Sequence, residues 1–154
     1  MNKEIDIKDK IFEIFISEDE ISSIVHSMAN QINNSGVKDP LFIAVLNGSF
    51  IFAADIMRKI NIPNCEISFI KLSSYLGTET AGKVNELIGL GKNIRNRNVV
   101  ILEDIIDTGI TLEKIMSLLE KEEVADIKVA TLLFKPEAYK KDIEIDFIGK
   151  SIPN

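Results

Sequence analysis

The chain has 154 residues, 45% hydrophobic and 27% charged, with 24 acidic against 18 basic side chains and a net charge of −6. That length suits one domain with a substantial core, and the negative balance argues against broad attraction to nucleic acid or to an anionic membrane. A single cysteine, Cys65, and a single histidine, His26, exclude an internal disulfide, a cysteine-cluster zinc site and a histidine-based metal centre. No apolar run approaches the length of a bilayer span, and MNKEIDIKDK lacks a signal-peptide core, so the expected location is the cytoplasm. A local phosphate site remains compatible with this charge, because backbone N–H groups or a metal ion can supply it.

Taken in chain order, Ser17 is an N-cap and Glu20, three residues later, completes a capping box. Ile21, Ile24, Val25, Met28, Ala29 and Ile32 then recur at helical spacing, with Gly36 as the stop. LFIAVL (41–46) is a short unbroken apolar run, the signature of a strand covered on both faces. Asn47-Gly48-Ser49 breaks it, and Phe50 to Ile60 reads as a helix ending before Pro63. Glu66 to Leu72 is a second strand, followed by the polar, glycine-bearing SSYLGTETAGKV, a loop. Val99 to Leu102 is the next buried strand, Thr111 to Glu122 a helix, Ile127 to Leu133 a strand, and Ile143 to Ile148 alternates like another. Strands alternating with helices predict an α/β fold, a parallel sheet flanked by helices.

Ligands of such sheets gather beyond the carboxyl ends of the strands. Two strand–turn–helix junctions are expected there, Asn47-Gly48-Ser49 and the acid-rich turn after VVIL (99–102). Each can aim free backbone N–H groups at an anion. Asp107-Thr108-Gly109-Ile110-Thr111 wraps the start of a helix, with a glycine for close backbone approach and two hydroxyls, a reasonable cradle for a phosphate monoester. Glu103 and Asp104 would repel phosphate, but carboxylates accept hydrogen bonds from a ribose diol and favour a positive centre at a sugar carbon. A sugar phosphate satisfies the whole stretch. A solvated acidic turn satisfies it too, and spacing leaves both readings open.

VVILEDIIDTGITL (99–112) closely resembles the phosphoribosyl-pyrophosphate motif of type I phosphoribosyltransferases. VLNGSFIFAADI (45–56), ISFIKLSSYLGTETAGKV (67–84), VATLLFKPE (129–137) and DFIGKSIPN (146–154) resemble, in order, the hypoxanthine-guanine branch of that family. The resemblance implies one phosphoribosyltransferase domain over residues 1–154, with a Rossmann-like parallel sheet. It implies purine salvage: transfer of the 5-phosphoribosyl group from phosphoribosyl pyrophosphate to a 6-oxopurine, hypoxanthine and also guanine, giving IMP or GMP and pyrophosphate, with Mg²⁺. Carried over, Glu103 and Asp104 contact the ribose hydroxyls and are the candidate metal ligands. Asp107 exchanges a proton at the purine N7, and Thr108, Gly109, Ile110 and Thr111 hold the 5-phosphate. Leu46, Asn47 and Gly48 belong to the pyrophosphate loop, with a cis peptide before Asn47. Ser74 and Tyr75 sit on a closing flap, and Lys135 donates to the exocyclic O6. A homo-oligomer, dimer or tetramer, is implied, with no nucleic-acid or membrane partner. Two departures stand out. Relatives often carry lysine at the position of Asn47, and they continue past Asn154 with an aromatic that stacks on the purine and an acidic residue near the metal, so a truncated C-terminal hood segment is expected. The alternative function is a non-catalytic, phosphoribosyltransferase-like nucleotide-binding regulator, against which the net charge argues mildly if RNA is its partner.

Residues outside these motifs have plainer readings. His26 is expected on the surface or at a core boundary, Cys65 partly buried, and Phe42, Phe50, Phe52, Phe69 and Phe147 in the core, with Phe134 a neighbour of the base pocket.

Overall fold

A computed structural model describes residues 4–72 and 93–154. Ten elements follow in order: β1 (Glu4–Ile7), β2 (Lys10–Glu13), α1 (Glu18–Asn33), β3 (Leu41–Val45), α2 (Phe50–Met57), β4 (Glu66–Ile70), β5 (Asn98–Ile106), α3 (Ile110–Lys121), β6 (Asp126–Phe134) and β7 (Phe147–Ser151). The last five strands named form one parallel sheet in the order β4-β3-β5-β6-β7, and β1 pairs with β2 as a separate antiparallel hairpin. The expected α/β class and flanking helices are observed.

Each face of the sheet has its own core, which is why its central strands read as unbroken apolar runs. On one side Phe42, Ala44, Val100, Leu102 and Ala130 pack under Val25, Met28, Ala29 and Ile32 of α1 and Phe52, Ala53 and Ile56 of α2. On the other, Ile43, Val45, Val99, Ile101 and Val129 pack under Leu112, Ile115 and Leu119 of α3. Alternate residues of one strand thus feed opposite cores.

Several boundaries differ from expectation. Ser17 does cap α1, accepting a hydrogen bond from the Glu20 N–H at 3.2 Å. The Glu20 carboxylate, however, pairs with Lys150 of β7, so its side chain is engaged across the fold rather than in a reciprocal box. The final strand begins at Phe147, not Ile143; Ile143 and Ile145 instead pack against the α3-side core from the connector. The hairpin β1–β2 was not anticipated, since KIFE sets two apolar residues side by side without alternation; its turn is made by Lys8 and Asp9 in the left-handed conformation, φ 50° and 62°. Phe50 is exposed rather than core, while Phe42, Phe52 and Phe147 are buried. His26 is exposed and Cys65 half-buried, as expected.

The most consequential difference is β5. VVIL suggested a strand ending at Leu102, yet pairing continues to Ile106. Ala44 opposite Leu102 is the last β3 pairing, whereas β6 accompanies β5 onward, with Glu103 opposite Thr131, Ile105 opposite Leu133 and Ile106 opposite Phe134. Two of the three acids therefore belong to the strand, not to the turn after it.

Candidate active site

The connection from β3 runs outward to β4 on one side, while β5 lies on the other and leads to β6 and β7. The crevice at the carboxyl ends of β3 and β5 is thus the topological switch point, where open parallel sheets hold ligands. The two turns expected to bind anions, residues 46–49 and 107–109, flank it. They also meet. A Cβ on Gly48 would stand 2.7 Å from Asp104 Cγ and 2.8 Å from Asp104 Oδ1, so the bare glycine lets the β3–α2 turn lie against that carboxylate, and a side chain there would have to displace it. The Leu46–Asn47 peptide is cis. The turn is anchored from below: the Leu46 N–H donates to the Ile70 carbonyl at 2.8 Å, and the buried Ser49 hydroxyl donates to the Val45 carbonyl at 2.6 Å. With that hydroxyl turned back to the strand, no side chain caps α2.

The second turn closes on Gly109, the N-cap of α3, in the left-handed conformation at φ 84° and with no side-chain cap. An α-helix leaves its first N–H groups without intrahelical partners, and here no side chain competes for them. Residues 103–112 line a depression of about 230 Å³. Consecutive strand residues point to opposite faces. Glu103 shares a side with Ile101, toward α3, while Asp104 faces the Gly48 turn. They stand on opposite sides of the strand end rather than forming a side-by-side pair.

Their electrostatics differ accordingly. Glu103 is 6% exposed, and burial, reinforced by the neighbouring Asp104 charge, pushes its carboxyl up to about 8. At neutral pH it is mostly protonated, so the cluster holds fewer negative charges than its sequence suggests. Asp107 is exposed at the rim, and Lys135 Nζ at the end of β6 lies 3.4 Å from its Oδ2. The Lys135 N–H donates to the Ile106 carbonyl at 3.0 Å, which fixes the lysine beside the aspartate.

A profile of the phosphoribosyl transferase domain family matches residues 17–154. The chain belongs to the phosphoribosyltransferase family. Among its relatives, the hypoxanthine-guanine phosphoribosyltransferase of Staphylococcus epidermidis is 40% identical over 143 residues, spanning 92% of this chain and 79% of the relative. A crystal structure of a hypoxanthine-guanine phosphoribosyltransferase from Bacillus anthracis, with a HEPES molecule in its active site, superimposes with a TM-score of 0.83 at 39% identity, covering 94% of this chain and 84% of that one. A hypoxanthine phosphoribosyltransferase from Trypanosoma cruzi, investigated for the role of its C-terminal region in oligomeric state and activity, gives a TM-score of 0.80 at 32% identity, covering 92% and 78%. These likenesses put the chain on the hypoxanthine-guanine branch of the type I phosphoribosyltransferases.

Within that phosphoribosyltransferase fold, Leu46, Asn47, Gly48, Glu103, Asp104, Asp107, Thr108, Gly109, Ile110, Thr111 and Lys135 all fall around one crevice. Ser74 and Tyr75 lie outside the described residues. Phe134 is not a free pocket wall: its ring stands edge-on to Tyr139, centroids 5.3 Å apart, and packs with the α3-side core. Tyr139 itself went unread in the sequence, where a lone tyrosine in a polar connector carries no pattern. Its hydroxyl donates to the Ile143 carbonyl at 2.7 Å. Burial, opposed by that hydrogen bond and aided by Asp142, raises its pKa, so the phenol stays a donor.

The donor set also bears on Mg²⁺. Among the described residues no three acidic, histidine or cysteine side chains converge to cage an ion. A neutral buried Glu103 and an Asp104 on the opposite face fit an ion that arrives with a polyphosphate and keeps most of its water, the ordinary mode for Mg²⁺.

Proposed function

We propose that this chain transfers the 5-phosphoribosyl group from phosphoribosyl pyrophosphate to a ring nitrogen of hypoxanthine or guanine, giving IMP or GMP and releasing pyrophosphate. The observation that carries this reading is the uncapped, left-handed Gly109 start of α3, opening into the same depression as Glu103 and Asp104. A single ligand that is anionic at one end and a diol in the middle matches both features.

The N–H groups of the 107–111 turn and the Thr108 and Thr111 hydroxyls take the 5-phosphate. Glu103 and Asp104 accept from the ribose hydroxyls. As the C1–pyrophosphate bond loosens, positive charge grows on the sugar ring, and the Asp104 carboxylate stabilises it, with the largely protonated Glu103 contributing only the dipole of its carbonyl oxygen. The Leu46-Asn47-Gly48 turn receives the departing pyrophosphate through backbone amides; Asn47 brings no charge, so amides and metal share that task. When bound, Mg²⁺ would supply charge neutralisation on the pyrophosphate, and Asp104 and, once deprotonated, Glu103 would be the carboxylates to hold it. Lys135 donates to the purine O6, a contact that selects 6-oxopurines over a 6-amino base, which presents a donor there. Asp107, held beside Lys135, accepts the proton that the attacked purine sheds. Ser74 and Tyr75 are assigned to a flap that keeps water from the sugar cation.

A cytoplasmic homo-oligomer, dimer or tetramer, working on small molecules completes the proposal. Exposed Phe50 and Ile51, 56% and 65% accessible at the start of α2, support self-association. No helix among the described residues is long and apolar enough to cross a membrane.

The test is a spectrophotometric assay with phosphoribosyl pyrophosphate, Mg²⁺ and hypoxanthine or guanine. Turnover that Asp107→Asn reduces by about 10²-fold or more supports the proposal. Tight nucleotide binding with no turnover would replace it with the regulator reading.

A further inference from the structure

We propose that Tyr139 is a positioning residue for the 107–111 turn, its ring a fixed backstop behind Gly109; the proposal rests on the reading of that turn as the 5-phosphate site. After β6 the chain is tied at successive points to the end of β5, to the turn after it and to α3. The Lys135 N–H donates to the Ile106 carbonyl at 3.0 Å, and the Lys140 N–H donates to the Thr108 carbonyl at 3.2 Å. Lys141 Nζ donates to Glu113 Oε2 at 2.6 Å.

Tyr139 lies in the middle of this strap. Its Cε2 is 2.6 Å, and its Cδ2 3.1 Å, from where a Cβ on Gly109 would be, with Lys141 Cγ at 2.7 Å beside it, so the ring packs on bare glycine backbone and the lysine stem closes its edge. The ring is itself held at both ends. The hydroxyl donates to the Ile143 carbonyl at 2.7 Å, and the edge contact with Phe134 sets a 69° angle between the planes.

Gly109 needs such a neighbour. At φ 84° it occupies a conformation that glycine enters easily and leaves as easily. The N–H groups after it converge on a tetrahedral anion only while that conformation is kept. A ring that fills the space behind it removes the alternatives before the ligand arrives, and preorganisation of this kind appears as affinity. The base end of the crevice has ties that do not pass through the ring: Lys135 Nζ pairs with Asp107, the Lys135 N–H donates to the Ile106 carbonyl, and the Tyr139 backbone N–H, kept in any side-chain variant, donates to the Lys135 carbonyl at 3.1 Å. The ring, packed on Gly109, should therefore act mainly on the phosphate end.

The test compares Tyr139→Leu and Tyr139→Phe with the parent chain. It reads calorimetric binding of ribose 5-phosphate, KM for phosphoribosyl pyrophosphate, KM for hypoxanthine, and kcat at saturation. Tyr139→Leu is expected to weaken ribose 5-phosphate and raise KM for phosphoribosyl pyrophosphate about tenfold, with the other two constants within about twofold. Tyr139→Phe keeps the ring and loses only its tether, so a loss of about two- to threefold, confined to the same two readings, is expected. Unchanged ribose 5-phosphate affinity in Tyr139→Leu, or equal weakening of phosphate and purine, overturns the proposal. Should Tyr139→Leu not fold, Tyr139→Phe decides it, and an unaltered ribose 5-phosphate affinity there is the contrary result. A parent chain that binds no ribose 5-phosphate defeats the reading of the turn, and this inference with it. A parent that binds it as tightly as Tyr139→Leu does defeats the inference alone.

Discussion

Glu103 must leave water to sit inside the sheet, and burial keeps it protonated there, which brings a pH dependence with a definite sign. Its carboxyl is raised from 4.5 to about 8 in the folded chain. The folded state therefore holds this proton more tightly than the unfolded one, and the associated stability is complete below about pH 4.5 and lost as pH rises through about 8. Glu103→Gln, neutral throughout, should gain on the parent across that window, by about 2–5 kcal/mol above pH 8. Urea unfolding at pH 5 and pH 9 reads this directly; a difference that does not grow with pH would mean that Glu103 ionises freely in the fold. At Lys135 the charge is paired with Asp107 at 3.4 Å, with the lysine side chain 24% and the aspartate 51% exposed. Such a pair contributes little to stability, so its removal should show in recognition. Lys135→Ala should weaken 6-oxopurine binding by about tenfold or more, while leaving phosphoribosyl pyrophosphate within about threefold. Equal losses in fluorescence titrations of the two ligands would refute its assigned role.

The β3–α2 turn and the β5 end work as a pair, because Gly48 lies against Asp104. Adding a methyl at Gly48 places it 2.7 Å from Asp104 Cγ, well inside contact distance. Gly48→Ala should push the turn off the carboxylate and raise KM for phosphoribosyl pyrophosphate about tenfold or more, with a loss of stability of about 1–3 kcal/mol. Steady-state kinetics with a thermal melt checks both; unchanged KM would separate the turn from the substrate. The helices α1 and α3 and the strand β3 were legible in sequence because their apolar spacing reports directly which face is buried. Besides the β1–β2 hairpin, two strands of the parallel sheet were read with other ends. β5 outruns its apolar core because β6 continues to pair with it, through Glu103 opposite Thr131 and on to Ile106 opposite Phe134. Hydrogen bonding to a neighbour does not need apolar side chains, so hydropathy ended the strand four residues early. The converse occurs at residues 143–146, where alternation imitates a strand while Ile143 and Ile145 simply anchor a connector.

At the scale of the whole molecule, ligand sites follow from the strand order. The β4-β3-β5-β6-β7 sequence opens its switch point between β3 and β5, and the two uncapped helix starts converge on it. With no cage of ligands among the described residues, the metal is expected to arrive with its substrate. Chelation by EDTA should then abolish turnover and leave the thermal midpoint of the free chain where it was. A fall of the midpoint on chelation would show an ion held by the protein itself.

Sequence alone determined the fold class, the family likeness and the two strand–turn–helix junctions that flank the crevice, because junctions with glycine and acids carry their chemistry in local order. Only the tertiary structure decided that Glu103 is buried and neutral, that Gly48 rests on Asp104, that Lys135 meets Asp107, and that Tyr139 stands behind Gly109. Each of these depends on the distance between segments far apart in the chain and on the water excluded between them, quantities that a local pattern of residues does not contain.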